Sequence, residues 1–151
     1  MKLLFTFAFL VFCSLSFSQT ILKIEESEKK YSKDSLQEVY FNRIFSDEIT
    51  TCFDVSQELF IVEWSKFTRA VSKYLHEQNF VWGKKYLGNI EVYFNKDEKI
   101  EFFFLTMRDK EYPQEQYDKL FALLKQFAQE YTFKIDAKIP FSNSGTITFI
   151  D

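Results

Sequence analysis

Gly88-Asn89-Ile90-Glu91-Val92-Tyr93-Phe94-Asn95-Lys96-Asp97-Glu98-Lys99-Ile100-Glu101-Phe102-Phe103-Phe104-Leu105 is the stretch on which the fold turns. Ile90, Val92 and Phe94 alternate with Glu91, Tyr93 and Asn95, the two-residue period of a half-buried strand. Lys96 to Lys99 is wholly charged and reads as a turn. Ile100, Phe102 and Phe104 then alternate with Glu101, Phe103 and Leu105, so a second strand follows at once and the pair makes an antiparallel hairpin. Rings at Phe102, Phe103 and Phe104 occupy both faces, which places this strand well inside the sheet.

Helical periods flank the hairpin. Phe60, Trp64, Phe67, Val71 and Tyr74 recur at spacings of four and three, sharing one face, and predict an amphipathic helix over residues 57 to 78. Glu63, Lys66, Arg69 and Lys73 supply its solvated side, Ser56 an N-cap, and Asn79 the end. Downstream, Pro113 suits a helix start, where its missing N–H has no partner to lose, and Glu115 lies where the helix dipole favours an acid. Tyr117, Leu120, Phe121, Leu124, Phe127, Ala128 and Tyr131 then form an unbroken apolar stripe.

Beyond this helix, Phe133, Ile135, Ala137 and Ile139 alternate with charged residues and predict a third strand. Asn143-Ser144-Gly145 has turn chemistry, and Thr146 to Ile150 reads as a fourth strand. Residues 35 to 56 mix helical spacing at Leu36, Val39, Tyr40 and Ile44 with the strand-like Val39-Tyr40-Phe41. The expected fold class is α+β: a small antiparallel sheet with two amphipathic helices packed on it, in helix-β-β-helix-β-β order.

The N-terminus has the parts of an export signal. Lys2 precedes an apolar run from Leu3 to Phe12, and Ser16-Phe17-Ser18 is a small-x-small site before Gln19. Residues 1 to 18 therefore read as a signal peptide, 19 to 34 as a polar lead-in and 35 to 151 as one α+β domain. The apolar run is shorter than the roughly 20 residues that span a bilayer, so no membrane span is expected after cleavage. The expected location is periplasmic or secreted.

Cleavage would leave 133 residues with 18 basic and 22 acidic side chains. That mildly acidic balance argues against nucleic acid or an anionic membrane as partner. Cys52 would be the one remaining cysteine, which excludes an intramolecular disulfide. Fifteen Phe, eight Tyr and two Trp make the expected core bulky and oily.

Catalytic and metal chemistry find little purchase. His76 is the one histidine, and neither it nor Cys52 has a flanking motif for a thiol–imidazole pair. Histidine pairs and calcium-loop spacings are missing. Glu91 and Glu101 could face each other across the hairpin, but their alternation with apolar residues reads as a solvated sheet face. Gly83-Lys84-Lys85 lacks the pattern of a phosphate loop. Tyr93 with Phe103 resembles a base-stacking pair, a reading the acidic balance opposes. The chain is expected to be non-enzymatic, with no cofactor and no metal.

Gly88 to Phe94, followed by Asp97 and Ile100, resembles the C-terminal domain of TonB-like proteins, and Leu120 to Tyr131 and Phe133 to Phe149 keep that family's order over residues 64 to 151. The chain departs from the pattern at Glu98, where a glycine is usual, and shows neither the TonB anchor nor a proline-rich spacer. The resemblance implies a periplasmic α+β domain that binds a peptide segment by strand addition at the terminal strand.

Two functions from different classes follow. One is an envelope interaction domain in which Thr146, Ile147, Thr148, Phe149 and Ile150 form an open edge that pairs with an extended segment of an envelope protein. The other is a small apolar-ligand binder with an aromatic pocket between sheet and helices, lined by Trp64, Trp82, Phe102 and Phe104.

Overall fold

The computed structural model describes residues 20–23, 33–108 and 111–150. The signal-peptide reading of residues 1 to 18 and most of the lead-in lie outside them. Within them the chain is α+β, as expected from sequence. Its elements are β1 (Thr20–Lys23), α1 (Lys33–Val39), α2 (Ile49–Cys52), α3 (Gln57–Glu77), β2 (Tyr86–Phe94), β3 (Ile100–Met107), α4 (Gln114–Glu130) and β4 (Phe141–Phe149).

The hairpin forms the centre of the sheet. β2 pairs antiparallel with β3 on one side and with β4 on the other, and the short β1 joins β3 in parallel, giving the order β1-β3-β2-β4. The turn is closed by Asn95, whose side-chain oxygen accepts from the N–H groups of Asp97 and Lys99, each at 3.0 Å. Glu98 takes φ 56° there, the left-handed conformation that glycine adopts more easily.

The inward set of β3 differs from the simple alternation. Tyr93 pairs with Phe102 but Phe94 with Ile100, so Glu101 is an extra residue in a bulge. One extra residue inverts the pleat. Ile100 faces the main core before the bulge; Phe103, Leu105 and Met107 face it afterwards, and Phe102 and Phe104 turn to the reverse side.

Both long helices form where their stripes place them. Ser56 caps α3 through its hydroxyl, which accepts from the Leu59 N–H at 3.4 Å, and Asn79 follows its end at φ 51°. Phe60, Phe67, Val71 and Leu75 are buried in α3, and Tyr117, Leu120, Leu124 and Phe127 in α4. α4 rests on β1 and β3 beside α3. α3 lies over β4, where the Trp64 ring covers Gly145 so closely that an added Cβ would stand 3.2 Å from Nε1. Glu63, expected on the solvated side, is instead buried, and its carboxylate accepts from Lys66.

Three further readings change. Residues 133 to 139 are not a strand. Their alternation survives in burial, with Phe133 and Ile135 inside, but their backbone makes only an isolated bridge at Ala137 to Phe53, with another at the preceding Thr132 to Lys99. Asn143-Ser144-Gly145 is not a turn but the middle of β4, held in register against Ile90 to Val92. The expected order therefore ends in one long strand. Finally, the lead-in supplies β1, and α1 packs Leu36 and Tyr40 on the reverse face against Tyr93 and Phe104.

Candidate functional site: the outer edge of β4

Thr146 to Phe149 fall in β4, the last strand of the sheet, and Ile150 follows it. One bond sets the orientation of its backbone. Ser142 donates its N–H to the Phe41 carbonyl at 2.8 Å, while the Phe41 N–H donates to Pro140 at 2.9 Å, both on the side away from β2. Antiparallel ladders alternate inward and outward residues. Phe141, Asn143, Gly145, Ile147 and Phe149 therefore bond β2, and Ser144, Thr146 and Thr148 direct N–H and C=O outward. Arg108 donating to the Leu87 carbonyl at 2.9 Å confirms the parity, since Leu87, opposite Thr148, bonds toward β3. Among the described residues, no strand pairs with this outer edge from Asn143 to Phe149.

The two flanks of the edge differ chemically. On the open face stand Asn89, Glu91, Thr106, Ser144 and Thr146, around a depression of about 380 Å³. Arg108 spans it, donating from Nε to Asn89 at 2.9 Å and from Nη2 to Thr146 at 2.8 Å. The Glu91 carboxylate accepts from the Tyr93 hydroxyl at 2.7 Å, and Glu101 accepts from Tyr40. Burial first, then these carboxylates, push both tyrosines above the ordinary phenol range. The two glutamates do not face each other: Glu91 pairs with Phe104.

On the other flank, α3 runs beside the edge. Leu75 and His76 meet Phe80, Trp82 and Phe149 around a cavity of about 210 Å³ that opens near Thr148 and Ile150. The aromatic pocket expected from sequence does not assemble, because Phe102 and Phe104 lie across the sheet from Trp82. Trp82 alone of the four lines this cavity. Its other walls were illegible, because Leu75 and Phe80 read as ordinary helix and loop positions.

Cys52 and His76 are not brought together. Cys52 is fully buried before α3, its thiol donating to the Ile139 carbonyl at 3.5 Å, and burial pushes it up to about 12. His76 is exposed in the last turn of α3, a helix about 30 Å long. Tyr93 and Phe103 are both buried, on opposite faces, and present no stacking platform. Among the described residues, no cluster suited to a metal occurs and no helix is long and apolar enough to cross a membrane.

Comparison with known proteins finds no match to the chain among family models, curated proteins or solved structures.

Proposed function

We propose that the protein is an exported, non-enzymatic interaction domain of the cell envelope that captures an extended peptide segment by strand addition to β4. The observation that carries this reading is the outer edge from Asn143 to Phe149, whose Ser144, Thr146 and Thr148 groups face away from β2. An extended chain satisfies such groups at little reorganisation, since the strand is already held by β2. The resemblance of residues 64 to 151 to TonB-like C-terminal domains supports the same mode of binding. Export is supported by the signal pattern, and a cut after Ser18 leaves β1 whole; intact mass of the secreted chain should start at Gln19.

Amide hydrogen exchange tests strand addition. A strand-forming synthetic peptide should protect Ser144, Thr146 and Thr148, while Gly145 and Ile147, already bonded to β2, change little. Uniform protection of odd and even positions, or none, rejects the mode.

A second reading is favoured by the apolar walls of the 210 Å³ cavity: a small apolar ligand seated against Trp82. Quenching of Trp82 fluorescence by short aliphatic or aromatic probes, without protection of β4, would select it.

A further inference from the structure

We infer that the groove between α3 and the outer edge of β4 selects its strand by two side chains, a large apolar residue seated in the Leu75–Trp82–Phe149 cavity and an acidic residue three positions further along at Arg108. The inference rests on strand addition and names the substrate class of that site: an extended peptide of about seven residues, antiparallel to β4.

The dimensions of the groove support an occupant of this length. Ile61, Ser65, Thr68, Ser72 and His76 follow one another at four- and three-residue steps, so they share the α3 face that reaches the cavity at Ser72 and His76. That face is about 22 Å long at 1.5 Å per residue, and the edge from Asn143 to Phe149 is about 20 Å at 3.4 Å per residue. The three central residues of this face, Ser65, Thr68 and Ser72, are small. Their hydroxyls are already satisfied by bonds back to the helix: Ser65 donates to Ile61 at 2.9 Å, Thr68 to Ser65 at 3.0 Å and Ser72 to Thr68 at 3.2 Å. An added strand would therefore meet no unpaired hydroxyl donor along Ser65, Thr68 and Ser72 on this flank.

Strand parity then assigns the two selected positions. Directly opposed residues of an antiparallel pair project from the same face. A residue opposite Phe149 points toward α3 and the cavity, whose 210 Å³ exceeds the roughly 150 Å³ that holds a benzene ring. The residue three positions later lies opposite Thr146 and points to the open face. There the bonds to Asn89 and Thr146 use two of the five guanidinium donors of Arg108, which leaves three to meet a carboxylate. Glu91, the carboxylate already on that face, is engaged by the Tyr93 hydroxyl.

The probe is the synthetic peptide Thr-Phe-Thr-Val-Glu-Val-Thr, compared by calorimetry with versions carrying Ala for Phe or Gln for Glu. The parent should bind about tenfold tighter than the Ala version and about threefold tighter than the Gln version. Ser72→Trp, which fills the cavity mouth from an exposed position, should erase the first preference only, and Arg108→Gln the second only. Ser144→Pro removes an outward donor at a residue that neither bonds Arg108 nor lines the apolar cavity, and should weaken all three peptides alike. Equal binding of the three peptides with that loss intact overturns the two-side-chain inference and leaves strand addition in place. Binding indifferent to Ser144→Pro, or failure of the parent peptide to bind, overturns both.

Discussion

The Ser142 N–H donates to the Phe41 carbonyl at 2.8 Å, on the side of β4 opposite β2. This bond does two things. It covers the start of the outer edge with the chain that follows α1, and it fixes which amides of β4 remain outward. Proline substitutions should read out that parity. Ser144→Pro and Thr148→Pro remove N–H groups that no ladder bond uses, and proline is tolerated at such edge positions. Both variants should melt cooperatively near the wild type.

Ile147→Pro is expected to behave differently. Ile147 is buried and bonds β2 opposite Gly88, so the change leaves an acceptor unpaired and removes an apolar side chain from the core. The cost should be about 3 kcal/mol or more. Urea unfolding of the three variants checks the order, and equal midpoints would refute the assigned register.

Gly88 stands where three strands crowd together. A Cβ there would lie 2.7 Å from Leu105 Cδ1, 3.3 Å from Phe149 and 3.5 Å from Ile147. Gly88→Ala should therefore cost about 1–3 kcal/mol by overpacking, and combining it with Leu105→Ala should cost less than the sum of the two single losses. Additive losses in the double variant would show that the clash is not the cause.

Leu124 is fully buried in α4, where the apolar stripe meets the core. Leu124→Asp places a carboxylate without a partner there, a burial costing several kcal/mol, and should abolish the folded state at room temperature. A retained cooperative melt would contradict the packing of α4.

Stability should fall on the alkaline side. Burial raises the Cys52 thiol from 9.0 to about 12, and Tyr40 and Tyr93 also stand above their ordinary 10.0. A thiol or phenol whose pKa is raised by folding is held protonated and neutral, so its full contribution is present below the unfolded value and is lost as pH rises toward the folded one. The urea midpoint should decline as pH climbs from 9 toward 12, and Cys52→Ala should delay the onset toward 10. A midpoint that stays level over this window would exclude the buried thiol and phenols as the cause.

The parts of the fold legible in sequence are those whose signal is local. α3 and α4 bury stripes of 3.6-residue period, and the β2–β3 turn is too charged to bury, so periodicity and polarity suffice. The rest was decided across the chain. Nothing near Glu101 announces a bulge; it follows from pairing Tyr93 with Phe102 and Phe94 with Ile100. Asn143-Ser144-Gly145 has turn propensity, yet a nine-residue partner in β2 and the ring of Trp64 over Gly145 hold it extended. Phe133 to Ile139 alternates like a strand but lacks a neighbour to form a ladder. At the candidate site, the run Thr146 to Ile150 was legible as terminal β structure. Arg108, Ser72 and Leu75 were not, because only the three-dimensional fold sets them beside it.

Tyr40 shows how α1 is attached to the reverse face of the sheet. Its hydroxyl donates to Glu101, and its ring stands edge-on to Tyr93 at 5.0 Å and to Phe102 at 6.1 Å. Tyr40→Phe keeps the rings together and frees a carboxylate that is partly exposed and can be hydrated, so it should cost about 1 kcal/mol. Tyr40→Ala removes the ring contacts as well and should cost about 3 kcal/mol or more. Because α1 meets the sheet through a small cluster separate from the main core, most of this loss should be local. Amides of α1 should exchange faster in Tyr40→Ala while those of Phe67 and Leu124 stay protected. If all three regions lost protection in step, α1 would belong to the same cooperative unit as α3 and α4, and the separate attachment described here would be wrong.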